Sequence, residues 1–120
     1  MLGGIMETGR VIHCRTPAKV NLSLAVLARR PDGLHEIESS VIAIDWFDEL
    51  ELSPADDLAF FVTESTADIP GDDRNLVVQA ARALAHAAGH PPHVRIRLAK
   101  RIPVGAGLGG GSSDAAATLR

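Results

Sequence analysis

The amino-acid sequence predicts an α+β domain in which a mostly antiparallel sheet is covered by helices. Apolar segments that alternate with period two, joined by short turns, fill most of the first half of the chain. Helical spacing of apolar residues appears only in the second half, on either side of one more strand-like segment. With 120 residues, 46% of them hydrophobic, we expect residues 1–120 to form one domain with a real core.

The first strands are predicted between residues 19 and 63. Residues 19–26 form a half-buried strand, because every second position is aliphatic: Val20, Leu22, Leu24 and Val26. Pro31 and the Asp32-Gly33 pair favour a tight reversal, so that residues 39–46 return as a second strand. Residues 50–52 and 58–63 are two further short strands on either side of a turn.

Two helices and one strand are predicted after the loop at residues 69–73. The first helix spans about residues 76–88 and ends at Gly89, since its apolar residues recur at helical spacing: Leu76, Val77, Ala80, Ala81, Leu84 and Ala88. Residues 94–99 alternate again as a strand. Five of the 11 glycines then fall within residues 105–111, and a second helix begins at Ser112.

Composition excludes several classes of function. Twelve basic against 15 acidic residues give a net charge of −3, which disfavours a dedicated nucleic-acid binder and requires any phosphate to be held locally. Cys14 is the only cysteine, which excludes an internal disulfide or a zinc cluster, fits a reducing cytoplasmic setting, and leads us to expect Cys14 within the sheet. No apolar run approaches the roughly 20 residues that span a bilayer, and Met1–Arg10 lacks the core of a signal peptide. Four histidines are predicted at the surface: His13, His86, His90 and His93.

A strand followed by a glycine-rich turn and a helix N-terminus is a physical arrangement for holding phosphate. Glycines allow several backbone N–H groups to surround one anion, and the helix dipole adds roughly half a positive charge. Ser112 and Ser113 can cap the helix or offer hydroxyls to phosphate or Mg²⁺, while Asp114 suits charge compensation at the helix start. The alternative is a flexible connection with a serine cap.

The type of phosphate loop stays open on these residues alone. No lysine precedes Ser112 or Ser113, so the P-loop pattern fails. A Gly-x-Gly-x-x-Gly match to the dinucleotide fingerprint begins at Gly105, but Pro103 intrudes and the preceding strands look antiparallel. A dinucleotide-dependent oxidoreductase and a nucleotide-binding protein without turnover therefore remain alternatives.

Three segments together resemble the GHMP kinases, and among them the diphosphocytidyl-methylerythritol kinases of the non-mevalonate isoprenoid pathway. Residues 16–22 (TPAKVNL) resemble the motif Pro-Ala-Lys-x-Asn-Leu, and residues 30–35 (RPDGLH) resemble Arg-x-Asp-Gly-Tyr-His. Residues 103–113 (PVGAGLGGGSS) resemble the ATP loop of that family, and residues 73–76 (DRNL) its Asp-x-Asn-Leu segment. The resemblance covers residues 14–120.

The resemblance implies a fold like ribosomal protein S5 domain 2, with a left-handed crossover. It also implies ATP-dependent phosphorylation, with Mg²⁺, of a hydroxyl on the methylerythritol part of a small molecule, and no nucleic-acid or membrane partner. Residues 1–120 would be the N-terminal, ATP-binding domain of such a kinase. The family's Gly-Ala-Asp-x-Pro segment with its catalytic aspartate has no counterpart here, so the isolated chain is expected to be inactive.

The resemblance also implies roles for single residues. Lys19 corresponds to the catalytic lysine, and Asn21, about 7 Å along the same strand face, helps to position substrate. Asp32 and Gly33 shape the substrate loop and His35 binds the cytosine, although Leu34 replaces the tyrosine that stacks on that ring in the family. The implied ATP-binding residues are Asn75, Pro103, Val104, Gly105, Ala106, Gly107, Leu108, Gly109, Gly110, Gly111, Ser112 and Ser113.

Overall fold

A computed structural model describes residues 10–65 and 67–120 of the chain. Its elements are β1 (Ile12–Arg29), β2 (His35–Pro54), β3 (Ala59–Glu64), α1 (Leu76–Ala88), β4 (Val94–Ala99) and α2 (Gly110–Thr118). The strands form one sheet in the order β1-β2-β4-β3. β1 with β2 and β2 with β4 pair antiparallel, whereas β3 with β4 pairs parallel. The predicted α+β class with a mostly antiparallel sheet is confirmed.

β1 and β2 form a longer ribbon than the sequence predicts. The strands predicted at residues 39–46 and 50–52 are one strand of 20 residues. The pairing shifts register after Pro17, which lies opposite Phe47, so that Ala18 lies opposite Ile44 and Asp45 and Trp46 have no partner on β1. Such a bulge bends a ribbon and turns the side chains beyond it, and Lys19 is the second residue beyond this one.

The core lies between the sheet and the two helices. It is formed by six buried residues: Leu50, Val77, Ala81, Ile96, Leu98 and Ala117. Cys14 is partly buried against this cluster, as predicted. The predicted apolar face of α1 is partly wrong, because Leu76 and Leu84 are 46% and 45% exposed while Val78 and Ala85 are buried. The buried face carries valines and alanines, whose small side chains let α1 lie close to the core.

The predicted half-burial of residues 20–26 is also wrong. Leu22, Leu24 and Val26 are 69%, 58% and 63% exposed. Alternation identifies residues that share a face, but the core lies against the other end of the ribbon, and within residues 10–65 and 67–120 these three side chains stay exposed. No helix in this part of the chain is long and apolar enough to cross a membrane. The signal-peptide prediction concerns Met1–Arg10, of which all but Arg10 lies outside the described residues.

Candidate functional site

The glycine-rich segment forms an open loop between Ile102 and α2. Gly105, Gly107 and Gly109 have φ values of +72°, +75° and +69°, a region that only glycine enters freely. The first hydrogen bond of α2 runs from the Ser113 amide to the Gly109 carbonyl at 3.0 Å. The amides of residues 105–112 donate no hydrogen bond to any described residue. A row of free N–H groups thus meets a helix N-terminus, as an anion site requires.

α2 begins two residues earlier than predicted, and of the two roles left open for Ser112 and Ser113, capping of the helix is not found. The helix starts at Gly110, and its N-cap is Gly109, which offers no side-chain hydrogen bond. A Cβ on Gly110 would lie 2.8 Å from both Ile102 Cγ2 and Lys100 Nζ, so only glycine allows this approach. The hydroxyl of Ser112 is therefore not used for capping, and its side chain is exposed beside the loop.

Lys19 reaches the glycine loop from β1. Its Nζ donates to the Gly107 carbonyl at 2.9 Å and to Asn21 Oδ1 at 2.6 Å, and its backbone amide donates to the Leu108 carbonyl at 2.8 Å. A Cβ on Gly109 would lie 3.0 Å from Lys19 Cε. Lys19 and Asn21 therefore share one strand face, as their spacing predicts, and the loop closes against that face.

Asn21 is oriented by a short chain of hydrogen bonds across the ribbon. Its Nδ2 donates to Ser39 Oγ at 2.7 Å, and Ser39 Oγ donates to the Ser23 carbonyl at 2.7 Å. Because the amide nitrogen of Asn21 is hydrogen-bonded to Ser39 on β2, its amide oxygen faces Lys19. Ser39 was not predicted as a site residue, since a serine inside a strand carries no signal of its own.

A cleft of about 360 Å³ lies beside the loop, between Pro70, the start of α1 and the end of β4. Asn75 lines it and is the N-cap of α1: its Oδ1 accepts from the Val77 amide at 2.9 Å, and its Nδ2 donates to the Pro70 carbonyl at 3.0 Å. The side chain of Asn75 therefore holds one wall of the cleft in place. Every residue of the loop from Pro103 to Ser112 lines the same cleft.

A buried polar cluster lies directly behind the loop and consists of Thr16, Asp48, Lys100 and Asp114. The predicted role of Asp114 in helix charge compensation is wrong, because its carboxylate is buried and accepts hydrogen bonds from Thr16 and Lys100. Burial, and then the neighbouring carboxyl of Asp48, raises the pKa of Asp114 to about 7. Burial also acts on Asp48, but the neighbouring carboxyl of Asp114 and the hydrogen bonds from the Ile102 amide, Lys100 and the Arg101 amide outweigh burial and keep its pKa below the ordinary value.

The predicted substrate loop lies at the far end of the ribbon. Gly33 has φ +89°, and Asp32 Oδ1 accepts from the Leu34 amide at 3.0 Å, which orders the turn. His35 pairs with Arg29, ten positions along β1 from Lys19, or on the order of 30 Å of extended strand. The structure thus brings Lys19, Asn21 and the glycine loop together, and it leaves Asp32, Gly33 and His35 outside the cleft.

The residues fit a magnesium ion held mainly by phosphates. No group of three or more His, Cys, Asp or Glu in residues 10–65 and 67–120 is arranged to hold a metal. Ser112, which lines the cleft, and Ser113 carry hydroxyls in the first turn of α2, and Mg²⁺ in phosphoryl-transfer sites commonly takes one or two protein oxygens beside phosphate and water. The four histidines predicted at the surface are exposed.

Comparison with known proteins gives one family. The family model described as GHMP kinases N terminal domain matches residues 75–120. The 4-diphosphocytidyl-2-C-methyl-D-erythritol kinase of Chlorobium phaeobacteroides (strain BS1) is 53% identical over 109 residues, which is 91% of this chain and 37% of that protein. The kinase of the same name from Salinibacter ruber (strain DSM 13855 / M31) is 54% identical over 104 residues, 87% of this chain and 36% of that protein.

The fold agrees with the sequence relatives. A crystal structure of 4-(cytidine 5'-diphospho)-2C-methyl-D-erythritol kinase superposes with a TM-score of 0.75 at 45% identity, covering 90% of this chain and 38% of that one. This chain thus spans less than two fifths of the length of the relatives that it matches. The matched domain, the sequence identity and the shared fold together show that the chain belongs to the GHMP kinase family.

Proposed function

We propose that this chain supplies the ATP-binding loop and the catalytic lysine for phosphorylation of 4-diphosphocytidyl-2-C-methyl-D-erythritol, at a hydroxyl of its methylerythritol part. The position of Lys19 carries the proposal: its ammonium lies 2.9 Å from the Gly107 carbonyl, at the mouth of a loop with free amides. The names of the relatives supply the substrate. The proposed setting is the cytoplasm, which the single cysteine supports.

The loop can hold phosphates without a basic surface. Its free amides and the N-terminus of α2 present partial positive charges that are fixed in place, which suits a chain of net charge −3. When bound, magnesium-complexed ATP supplies the phosphoryl group. The residues that would hold it are the loop amides for the phosphates, the cleft beside Asn75 and Leu76 for the base, and Ser112 or Ser113 for the ion.

Lys19 has a donor left for the reaction. An ammonium has three N–H groups, and Asn21 and Gly107 take two of them among the described residues. The third can bond to the acceptor hydroxyl or to an oxygen of the transferred phosphoryl group, where a fixed positive charge stabilises the charge that develops. Asn21 keeps this ammonium on the loop side of the strand.

The substrate loop is proposed to hold the cytidine part of the small-molecule acceptor. Asp32 and Gly33 shape the turn, and the ring of His35 hydrogen-bonds the cytosine. Leu34 is 63% exposed at the tip, free to lie against a base. A leucine there packs on the ring without the stacking geometry of an aromatic residue.

Binding to this chain is the first test. We expect a non-hydrolysable ATP analogue with Mg²⁺ to shift the backbone amide resonances of residues 105–113 in ¹H–¹⁵N spectra, while NADP⁺ leaves them unchanged. The loop amides are the groups that phosphate would contact. Tighter binding of NADP⁺ than of the ATP analogue would favour an oxidoreductase and contradict the proposal.

Turnover is tested in a chimera in which residues 10–120 replace the matching segment of the Salinibacter ruber relative. We expect the chimera to phosphorylate 4-diphosphocytidyl-2-C-methyl-D-erythritol, and Lys19→Ala to lower kcat by about 10²–10³-fold. Arg97→Ala is the control, since Arg97 is exposed on β4 away from the loop. A folded chimera without activity would contradict the proposed function, and an active Lys19→Ala variant would contradict only the role of Lys19.

A further inference from the structure

The buried polar cluster behind the loop joins four elements of the fold. Thr16 lies on β1, Asp48 on β2, Lys100 directly after β4, and Asp114 on α2. Their exposures are 1%, 0%, 6% and 1%. The proposed phosphoryl transfer uses none of these side chains. Well-packed apolar residues of similar volume could fill the same space without loss of stability, so stability alone does not explain a polar cluster here.

Lys100 links the two carboxylates at the centre of the cluster. Its Nζ donates to Asp48 Oδ2 at 2.5 Å and to Asp114 Oδ2 at 3.0 Å. The remaining oxygen of Asp114 accepts from Thr16 Oγ1 at 2.5 Å. No buried side-chain polar atom in the described part of the chain lacks a partner. Hydrogen bonds to charged groups are short and directional, so this cluster allows little relative movement of the elements that it joins.

The cluster fixes both ends of the glycine loop. At the entrance, Asp48 Oδ1 accepts from the amides of Arg101 and Ile102 at 2.6 Å and 2.8 Å. At the exit, Asp114 lies one turn into α2, whose first residue Gly110 packs directly on Lys100. The path of the loop between these two points is therefore set by the cluster.

The same cluster fixes the strand that carries Lys19. Thr16 precedes Lys19 by three positions on β1 and lies opposite Asp48 in the ladder. The loop and its helix thus meet β1 at two residues, at Thr16 through its bond to Asp114 and at Lys19 through its bonds to the Leu108 and Gly107 carbonyls. The bulge after Pro17 lies between these residues, so the second depends on the first for its alignment.

We propose that the hydrogen bond from Thr16 to Asp114 is a positioning contact that sets the Lys19 ammonium against the phosphate-binding loop. The inference rests on the proposed function of Lys19 and the loop. Thr16 and Asp114 are positioning residues, since their side chains are each 1% exposed and act through Lys19 and the loop, although Asp114 lines the inner wall of the cleft. A displacement of about 1 Å at a reacting group costs on the order of 10²-fold in rate, so a contact that holds Lys19 in place has a measurable effect.

Four variants distinguish a loss of positioning from a loss of stability. Thr16→Val keeps the shape of the side chain and removes the hydroxyl, and Thr16→Ser restores the hydroxyl. Thr118→Val is the matched control, because the buried Thr118 hydroxyl donates to the backbone carbonyl of Asp114 at 2.9 Å and not to its carboxylate. Asp114→Asn, which removes the charge that Thr16 bonds to, serves as a second test should Thr16→Val fail to fold.

Hydrogen exchange at the Lys19 amide of this chain measures the effect of the contact between Thr16 and Asp114. We expect the Lys19 amide to exchange about tenfold faster in Thr16→Val, and faster also in Asp114→Asn, while the Ile96 amide in the core keeps its rate. Thr16→Ser and Thr118→Val should leave the Lys19 amide as in the parent chain. Equal acceleration at Lys19 and Ile96 would show a loss of stability alone and would overturn the inference.

Kinetics in the chimera give the second readout. We expect Thr16→Val to lower kcat about tenfold or more with little change in KM for ATP, measured well below the melting temperature of each variant, and Thr16→Ser to recover most of kcat. An active chimera in which Thr16→Val turns over like the parent would overturn this inference and leave the proposed function intact. An inactive parent chimera would contradict the proposed function, while the exchange rates would still decide the inference.

Discussion

The two ends of the β1–β2 ribbon carry the same kind of alternating sequence but differ completely in burial. At the end near the helices, Ala18 and Leu50 are 0% and 1% exposed. At the other end, Leu22, Leu24 and Ile37 are 69%, 58% and 60% exposed. The backbone ladder runs through both ends with only local register shifts. The difference therefore comes from the core, which the two helices and β4 form against one end only.

Lys19 lies at the boundary between these two ends. On one side, Thr16 and Asp48 tie the ribbon to the buried polar cluster. On the other side, Asn21 and Ser39 bond across an exposed ladder. A catalytic group benefits from this arrangement, because the buried side holds the backbone in place while the exposed side leaves room for an acceptor.

Removing a carboxylate from each end should give the largest contrast. Asp48→Ala leaves Lys100 and two backbone amides without their acceptor in a buried place, so we expect a loss of about 3–5 kcal/mol in the free energy of unfolding. Asp32→Ala removes an exposed ion pair with Arg30 and should cost about 0–1 kcal/mol. Urea unfolding of both variants of this chain measures the difference. Similar losses would show that the exposed end contributes to stability as much as the buried end does.

Truncating a leucine at each end is a second test of the same contrast. Leu50→Ala opens a cavity in the core, and we expect a loss of about 2–5 kcal/mol. Leu24→Ala removes a side chain that is 58% exposed and should change stability by about 0.5 kcal/mol or less. Thermal unfolding followed by circular dichroism measures both. A large loss for Leu24→Ala would mean that another part of the chain, outside the described residues, covers this end.

Features fixed by local chemistry were predictable from the sequence. α1 begins at Leu76 and ends before Gly89, whose φ of +78° closes the helix as the glycine signal predicts. The antiparallel ribbon and its turn at Asp32-Gly33 were also predictable, because turn chemistry acts over a few residues. Lys19 and Asn21 on one face follow from the period of a strand.

Features fixed by tertiary contacts were not predictable. The exposure of Leu22 and Leu24 depends on where the helices and the core lie along the ribbon, which alternation does not encode. From the sequence, Asp114 is predicted to compensate the charge at the start of its own helix, because the neighbouring residues of α2 are the only context that the sequence gives. Its hydrogen-bond partners Thr16 and Lys100 lie 98 and 14 positions away. The contact of Lys19 with the loop spans 88 positions, and only the family resemblance suggested it.

Alanine substitutions at two glycines of the loop test whether Lys19, at the boundary between the two ends, is held against the loop. Gly107 and Gly109 share a left-handed backbone, so an alanine at either should cost about 1–2 kcal/mol. A Cβ at Gly107 meets nothing within 4 Å, but at Gly109 it would meet Lys19 Cε at 3.0 Å. We therefore expect Gly109→Ala to lose about 1 kcal/mol more than Gly107→Ala in urea unfolding. Equal losses would mean that Lys19 moves aside at no cost and is not held against the loop.

The pH dependence of stability should report the buried end alone. The pKa of Asp114 is about 7 in the folded chain against an ordinary value of 3.8. A carboxyl whose pKa is raised by folding stabilises the fold fully below its unfolded pKa, and this contribution is lost as the pH rises through the folded pKa. The free energy of unfolding should therefore fall between about pH 4 and about pH 7. Asp114→Asn has no proton to lose, so its unfolding free energy should be flatter over the same range; a slope equal to that of the parent chain would assign the pH dependence to another group.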